Sequence, residues 1–257
     1  MSELRRLEEL ERQRTRLCRL TPDRALTSLN DARAFLAERG MLTRMPDSSL
    51  PSLFGACHEE PGKTGGQGFA LWPKTKWIWS FQLTLRPGNV LTKLHRGKSL
   101  YLSAAVARVF DPLIRDAMST ATGDDAELLG HLSTHGDSMS EDIGLELGWE
   151  RNRLKKARDR LERVGALVSD GLVFIDEATW HFAPLRRWDQ VVKAVKAPAD
   201  PYAEVLLAGV RAAVIVPQDE VDRWFSWPFP KETLNQLVKS GRVARPAPGW
   251  IALKDRG

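Results

Sequence analysis

The segment Asp124–Asp176, DDAELLGHLSTHGDSMSEDIGLELGWERNRLKKARDRLERVGALVSDGLVFID, decides the fold. Its apolar residues recur at helical spacing three times, and then the period shortens. A first helix, Asp124 to Ser133, carries Leu128, Leu129 and Leu132. A second begins at Ser138, where Glu141 completes a capping box, and uses Ile143 and Leu147 as its apolar face. Gly148 makes a tight turn. A third helix, roughly Glu150 to Val164, sets Leu154, Ala157, Leu161 and Val164 on one stripe. GAL ends it, and VSDGLVF predicts a two-stranded hairpin with Asp170-Gly171 at its tip. Helix, helix, glycine turn, basic helix, hairpin is the order of a winged helix-turn-helix.

The third helix also carries chemistry. Burying Leu154, Ala157 and Leu161 turns Arg151, Asn152, Lys155, Lys156 and Arg158 outward from its first turns, with Arg153 beside them. An α-helix fits the major groove of B-DNA, where Arg pairs with guanine and Asn with adenine edges. Lysines and the helix N-terminus can meet phosphates. The other use of such a module is protein contact alone.

Charge is segregated along the chain. From Pro61 to Phe110 there is no acid, and Lys63, Lys74, Lys76, Arg86, Lys93, Arg96, Lys98 and Arg108 give +8. Glu150 to Arg163 adds seven cations against three acids, while the whole chain carries only +5, so the remainder is net acidic. Basic islands on an acidic chain predict a surface that faces a polyanion. Double-stranded DNA is the expected partner.

Outward from these islands, residues 1–23 form a charged helix with leucines at 4, 7, 10, 17 and 20, expected to dock along its own domain. SLNDARAFLAERG is a second helix, stopped by Gly40, and Ser52 to Cys57 a short helical turn in a loop rich in Pro, Gly and Ser. In KWIWSFQLTLR the residues Trp77, Trp79, Phe81, Leu83 and Leu85 alternate with polar ones, Ile78 excepted, the period of a half-buried strand. VLTKLH, an RGK turn and SLYLS supply two more, so residues 68–103 are expected to form a small antiparallel sheet. On that reading Trp77 and Trp79 face the core. Trp72, out of phase, faces outward where it can stack on an unpaired base. Lys74, Lys76, Arg96 and Lys98 make the exposed face cationic.

Residues 183–200 are expected to be a connecting amphipathic helix, APLRRWDQVVKAVK, and a linker. Residues 201–257 follow as a second, degenerate winged helix, whose third helix exposes Lys231, Asn235 and Lys239 beside Glu232. The domain division is thus 1–23, 24–122 with the inserted basic sheet, 123–182, 183–200 and 201–257. The fold class is α+β, tandem winged helix-turn-helix modules around an inserted antiparallel sheet.

Composition excludes other classes. At 42% hydrophobic and 28% charged, the chain is of ordinary globular type. No apolar run approaches the ~18 residues that span a bilayer, and the N-terminus is too charged for a secretory signal. Two cysteines far apart, Cys18 and Cys57, predict a reducing, cytoplasmic setting. Neither a cofactor nor a metal is expected. Cys57-His58 lacks ligand spacing, and His131 and His135 are four apart without a third ligand. GKTGGQG lacks the Walker spacing.

LPSLFGAC, TKWIWSFQL, LTKLHRGKSLYLS and the two winged helices together resemble the AlkZ/YcaQ-type tandem winged-helix group over most of residues 24–253. The resemblance implies that fold and DNA binding. Members characterised as enzymes are DNA glycosylases that excise alkylated or crosslinked bases, using a Gln-apolar-Gln or Gln-apolar-Asp motif that holds the attacking water. This chain departs there: its glutamines, at 13, 67, 82, 190, 218 and 236, never stand one residue apart. Gln82-Leu83-Thr84 has only the first half. Glu59, Glu60 and Asp47 have the type of group needed but sit in loops, and no catalytic residue is assigned.

Overall fold

Residues 3–169, 173–174, 181–182 and 184–254 are described by the computed structural model. The chain opens with α1 (Glu3–Leu17) and α2 (Leu29–Arg39), the latter capped by the Ser28 side chain accepting from the Asp31 N–H. A strand β1 (Met41–Thr43) follows. After a long loop come a short helical segment containing α3 (Trp79–Gln82), the hairpin β2 (Val90–His95) and β3 (Lys98–Leu102), and the long helix α4 (Ala104–Ser119). The sheet runs β1-β3-β2, all antiparallel, with Met41 opposite Leu102 and Val90 opposite Leu102 on the other edge.

The Trp-rich segment is therefore helical, not the expected strand: Lys76–Ile78 is a 3-10 turn, α3 follows, and Leu83–Leu85 is a second 3-10 turn. The reason lies outside the segment. The Glu59 carboxylate accepts from the Thr75 N–H at 2.9 Å, the Lys76 N–H at 3.1 Å and the Thr75 hydroxyl at 2.7 Å. A remote acid thus caps the start of the helical run, where free N–H groups favour negative charge. Residues 77 and 81 then meet as i,i+4 neighbours, ring centroids 5.9 Å apart. Trp72, Trp77 and Trp79 all end half-buried against one cluster with Phe35, Phe54 and Leu83, and Leu85 is exposed.

The first winged module comprises α5 (Gly123–His135), α6 (Ser140–Glu146), α7 (Arg151–Arg163), β4 (Leu167–Ser169), the paired β5 (Val173–Phe174) and β6 (His181–Phe182), and β7 (Leu185–Arg187). Leu128, Leu132, Ile143, Leu154, Ala157 and Leu161 form its core, the stripes expected of the three helices. Two details differ. Ser138 caps nothing: its backbone pairs with Leu185, bonding in both directions, and the second helix starts at Ser140. β4 pairs with β7, so residues 185–187 are a strand rather than part of a connecting helix, which shrinks to the single turn α8 (Trp188–Val191). β4 and β5 pair with β7 and β6 rather than with each other, so VSDGLVF is not the expected two-stranded hairpin; its expected tip at Asp170-Gly171 lies outside the described residues.

The second module consists of α9 (Pro201–Ala213), β8 (Ile215–Pro217), a 3-10 segment (Gln218–Arg223), α10 (Thr233–Lys239), β9 (Val243–Ala244) and β10 (Trp250–Leu253), with strand order β8-β10-β9. Helix α9 is buried along most of its surface, leaving only the Pro201–Tyr202 start and the stripe of Glu204 and Arg211 toward solvent. It packs on α4 and shares the largest core with it. Helix α1 lies on the sheet of this module, where Leu10 meets Ile215 and Ala252. Among the described residues no helix is long and apolar enough to cross a membrane.

Close packing at α9 gives a first test. A Cβ on Gly209 would lie 2.5 Å from the fully buried Trp224 ring, whose indole N–H is fixed on Glu220 at 2.9 Å. Gly209→Ala should lower stability by ~1–3 kcal/mol in denaturant unfolding, an overpacking cost. An unchanged midpoint would contradict this contact.

Candidate nucleic-acid interface

The rotation of α7 is fixed by buried Leu154, Ala157 and Leu161, and Arg151, Asn152, Arg153, Lys155 and Lys156 are all exposed. Their surroundings divide them. Arg153 is pinned to its own module: its guanidinium lies 4.2 Å from the Trp149 ring centroid and pairs with Asp124 at 2.8 Å and Glu127 at 3.2 Å. The Arg153 hydrogen bond holds the Asp124 carboxyl below its ordinary range. Arg160 pairs likewise with Asp125, and Arg158 with the buried Glu162, which Lys93 also reaches. Lys155 makes only an exposed i,i+4 pair with Asp159 at 2.8 Å, a contact of ~0.3–0.5 kcal/mol that a phosphate can replace. Arg151, Asn152 and Lys156 make no polar side-chain contact among the described residues. They are the groups α7 presents outward.

Asn152, Lys156 and Arg163 recur at i, i+4 and i+11, on one helix face. That face leads to the β2–β3 turn. A Cβ on Gly97 would sit 3.3 Å from the Arg163 guanidinium, so the end of α7 and this turn approach closely. The turn has two residues, Arg96 and Gly97, at φ +56° and +79°, the positive angles a two-residue hairpin of the primed type requires.

Beside the turn is a cleft of about 340 Å³ lined by Arg44, Asp47, Trp72, His95 and Lys98 among others. Arg44 donates to the Tyr101 hydroxyl at 3.1 Å, and its guanidinium stands 4.8 Å from the Trp72 ring centroid. Trp72 is also held against Phe54, Phe69 and Phe81, so it is a wall of this cleft rather than a free outward ring. Asp47 receives Lys98 on one oxygen, while its other oxygen is 3.2 Å from His95 Nε2. Burial alone would raise the Asp47 pKa. The Lys98 hydrogen bond and the charges of Lys98 and Arg96 outweigh it and hold the carboxyl below its ordinary value.

His95 is fully buried, and burial leads in pushing its pKa down, with Arg96 adding to it against the opposing pull of Asp47. The neutral ring explains its contacts. Nδ1–H donates to the Trp224 carbonyl at 2.7 Å, and Nε2 accepts from Arg96 at 2.8 Å. Asp47 is then held by the lysine, not by the imidazole.

The remaining predicted cations have other surroundings. Lys76 turns inward, donating to the Leu26 and Cys57 carbonyls at 2.9 and 3.3 Å, and is a strut. Lys74 is exposed. Lys98 lines the cleft and Arg96 reaches the Asp47 carbonyl from the turn, both partly neutralised by the Asp47 carboxylate. Of the loop acids, Glu59 is the helix cap described above. Burial would raise its pKa, but the Thr75 and Lys76 hydrogen bonds prevail and lower it. His95, Arg44 and Tyr101 were not singled out from the sequence. A histidine ending a strand before Arg-Gly was the available signal, but its partners at 47 and 224 are remote.

No protein-family model matches the sequence, and no curated protein matches it. Among solved structures, the DNA glycosylase AlkZ of Streptomyces sahachiroi is similar, with a TM-score of 0.55 at 13% identity, over 90% of this chain and 64% of that one. The fold is AlkZ-like. It is a tandem winged helix with mixed α+β content, as the sequence pattern implied, and the chain spans 64% of the glycosylase's length. At this identity the AlkZ likeness concerns the fold alone.

The cleft generates a pH prediction. His95 is depressed from 6.5, so the unfolded chain binds a proton that the folded chain refuses. Stability should therefore fall as pH drops below 6.5 toward the folded pKa. The Asp47 contribution, present above its unfolded value of 3.8, is lost only further down, through its lower folded pKa. Urea unfolding at about pH 7 and about pH 5 should show the difference, and His95→Gln should shrink it. An undiminished difference in the variant would place its source elsewhere.

Proposed function

We propose that this protein binds duplex DNA, with the first turns of α7 in a major groove and the cationic edge of the Asp47 cleft on the neighbouring backbone. One observation carries the reading. After internal pairing has neutralised much of the basic surplus, Arg151, Asn152 and Lys156 remain outward in the first half of the helix, and the face of Asn152 and Lys156 continues through Arg163 to the β2–β3 turn beside the cleft. The AlkZ-like fold, shared with a DNA glycosylase, supports it. Arg151 and Asn152 are the base-reading types; Lys156 and Lys155 are phosphate holders. Recognition of damaged or distorted duplexes is part of this proposal.

Base excision is a second reading, favoured by Asp47. A carboxylate kept ionised in a cleft walled by Trp72 and Arg44 can stabilise an oxocarbenium-like sugar and orient water. Titration against plain, mismatched and alkylated duplexes, following both binding and base release, separates the readings. Release that disappears in Asp47→Asn while binding persists supports excision; binding without release supports recognition alone. No binding to any duplex contradicts both and leaves a protein-contact module.

Binding should weaken steeply with salt. Six neutralised phosphates give a log–log slope of about −5. Arg151→Ala should lose ~1–3 kcal/mol of binding and relax sequence preference, whereas Lys156→Ala should weaken all duplexes alike and flatten the slope by about one unit. A slope near zero, or no loss from either variant, would remove α7 from the interface.

A further inference from the structure

On α5, His131 and His135 stand one turn apart, and α6 brings Glu146 to them. Glu146 Oε2 is 3.3 Å from His131 Nε2 and 4.0 Å from His135 Nε2. One ligand atom from each of the three residues can be chosen so that all lie within 4.8 Å of one another. The two imidazoles stack, centroids 4.4 Å apart and planes 21° from parallel.

Both rings are prepared as ligands. His135 Nδ1 is 3.0 Å from the His131 carbonyl oxygen, so in the neutral ring this nitrogen carries the hydrogen and donates it. Its Nε2 lone pair is left facing Glu146. A second nitrogen tied to a backbone carbonyl is how metal-binding histidines are oriented. His131 is only 8% exposed, and its buried Nε2 has no hydrogen-bond partner, because the approach of Glu146 lacks the angles of a hydrogen bond. A buried polar atom without a partner is costly and calls for an explanation.

We infer that His131, His135 and Glu146 form a site for a divalent transition metal, with zinc the best fit. Zinc–nitrogen bonds of ~2.0–2.1 Å set tetrahedral ligand–ligand edges of ~3.3 Å, the His131–Glu146 separation. Two imidazoles and one carboxylate suit zinc, whereas magnesium and calcium require more oxygen ligands. A surface cleft of about 490 Å³ gives access and leaves the fourth position to water. The sequence showed only the histidine pair; the third ligand comes from the next helix. A metal here ties the end of α5 to the end of α6, directly before the Leu147–Trp149 turn that starts α7. It therefore steadies the helix with the outward cations, whether or not DNA is the partner.

The full chain, stripped of metal, should be titrated with Co²⁺ and then Zn²⁺. One Co²⁺ should bind per chain, with the d–d bands of low coordination number and no thiolate charge-transfer band, and Zn²⁺ should displace it and raise the melting temperature. His135→Asn and Glu146→Gln, both at exposed positions, should each weaken binding at least ~10-fold, the lower end of what loss of a ligand or its support does. Their metal-free melting temperatures should match the parent. No saturable binding, binding that survives either substitution, or a thiolate band placing the metal on Cys18 or Cys57 would overturn the site.

Discussion

The buried carboxylate of Asp111 holds the two winged modules to one frame. It lies on α4, fully buried, and accepts from the Trp188 indole at 2.8 Å, the Val195 N–H at 3.0 Å and the Arg115 guanidinium at 2.8 Å. Arg115 also donates to the Val192 carbonyl at 2.9 Å. Trp188 follows β7 at the end of the first module, Val195 lies in the segment leading to the second, and α4 packs on the central helix of that second module. One anion thus joins three parts of the chain. A charge this deep is tolerated only when its hydrogen bonds are complete, and removing one partner from such a group is far costlier than removing an exposed pair. The same constraint positions α7 relative to the β2–β3 hairpin, since Lys93 and Arg158 converge on Glu162 at their junction.

Counting basic residues overstates the charge a partner meets. Arg153, Arg158 and Arg160 pair with acids of the body, and Lys76 braces two carbonyls. These contacts make α7 rigid rather than sticky. What remains outward is small: Arg151, Asn152 and Lys156 in the first half of the helix, with Arg163 at its far end; the proposed function has the first turns reading a groove. The cleft has the opposite design, several cations gathered about one ionised carboxylate, so its local field is mixed.

Much of the architecture was legible in the sequence because it rests on local periodicity. The stripes Leu128/Leu132 and Leu154/Ala157/Leu161, the Gly40 stop and the Arg96-Gly97 hairpin all follow from neighbours in sequence. Failures came where a distant group decided. Trp77–Leu85 alternates like a strand, yet Glu59 caps it into helix. Ser138 has a capping-box partner, yet pairs with Leu185. The stretch beginning at Leu185 has helical amphipathicity, yet β4 offers it an edge. The cleft was least legible: Asp47 was a loop acid among three, and nothing local announced that His95, Lys98 and Arg44 surround it.

In the proposed function the N-terminal end of α7 and the Asp47 cleft act as one DNA-facing surface. Amide hydrogen exchange on the full chain, free and bound to a short duplex, tests it most directly. Bound DNA should slow exchange together at residues 151–156 and at the 44–47 loop beside the 95–98 turn. Protection confined to the second module around 233–239, or at α7 without the cleft, would contradict it.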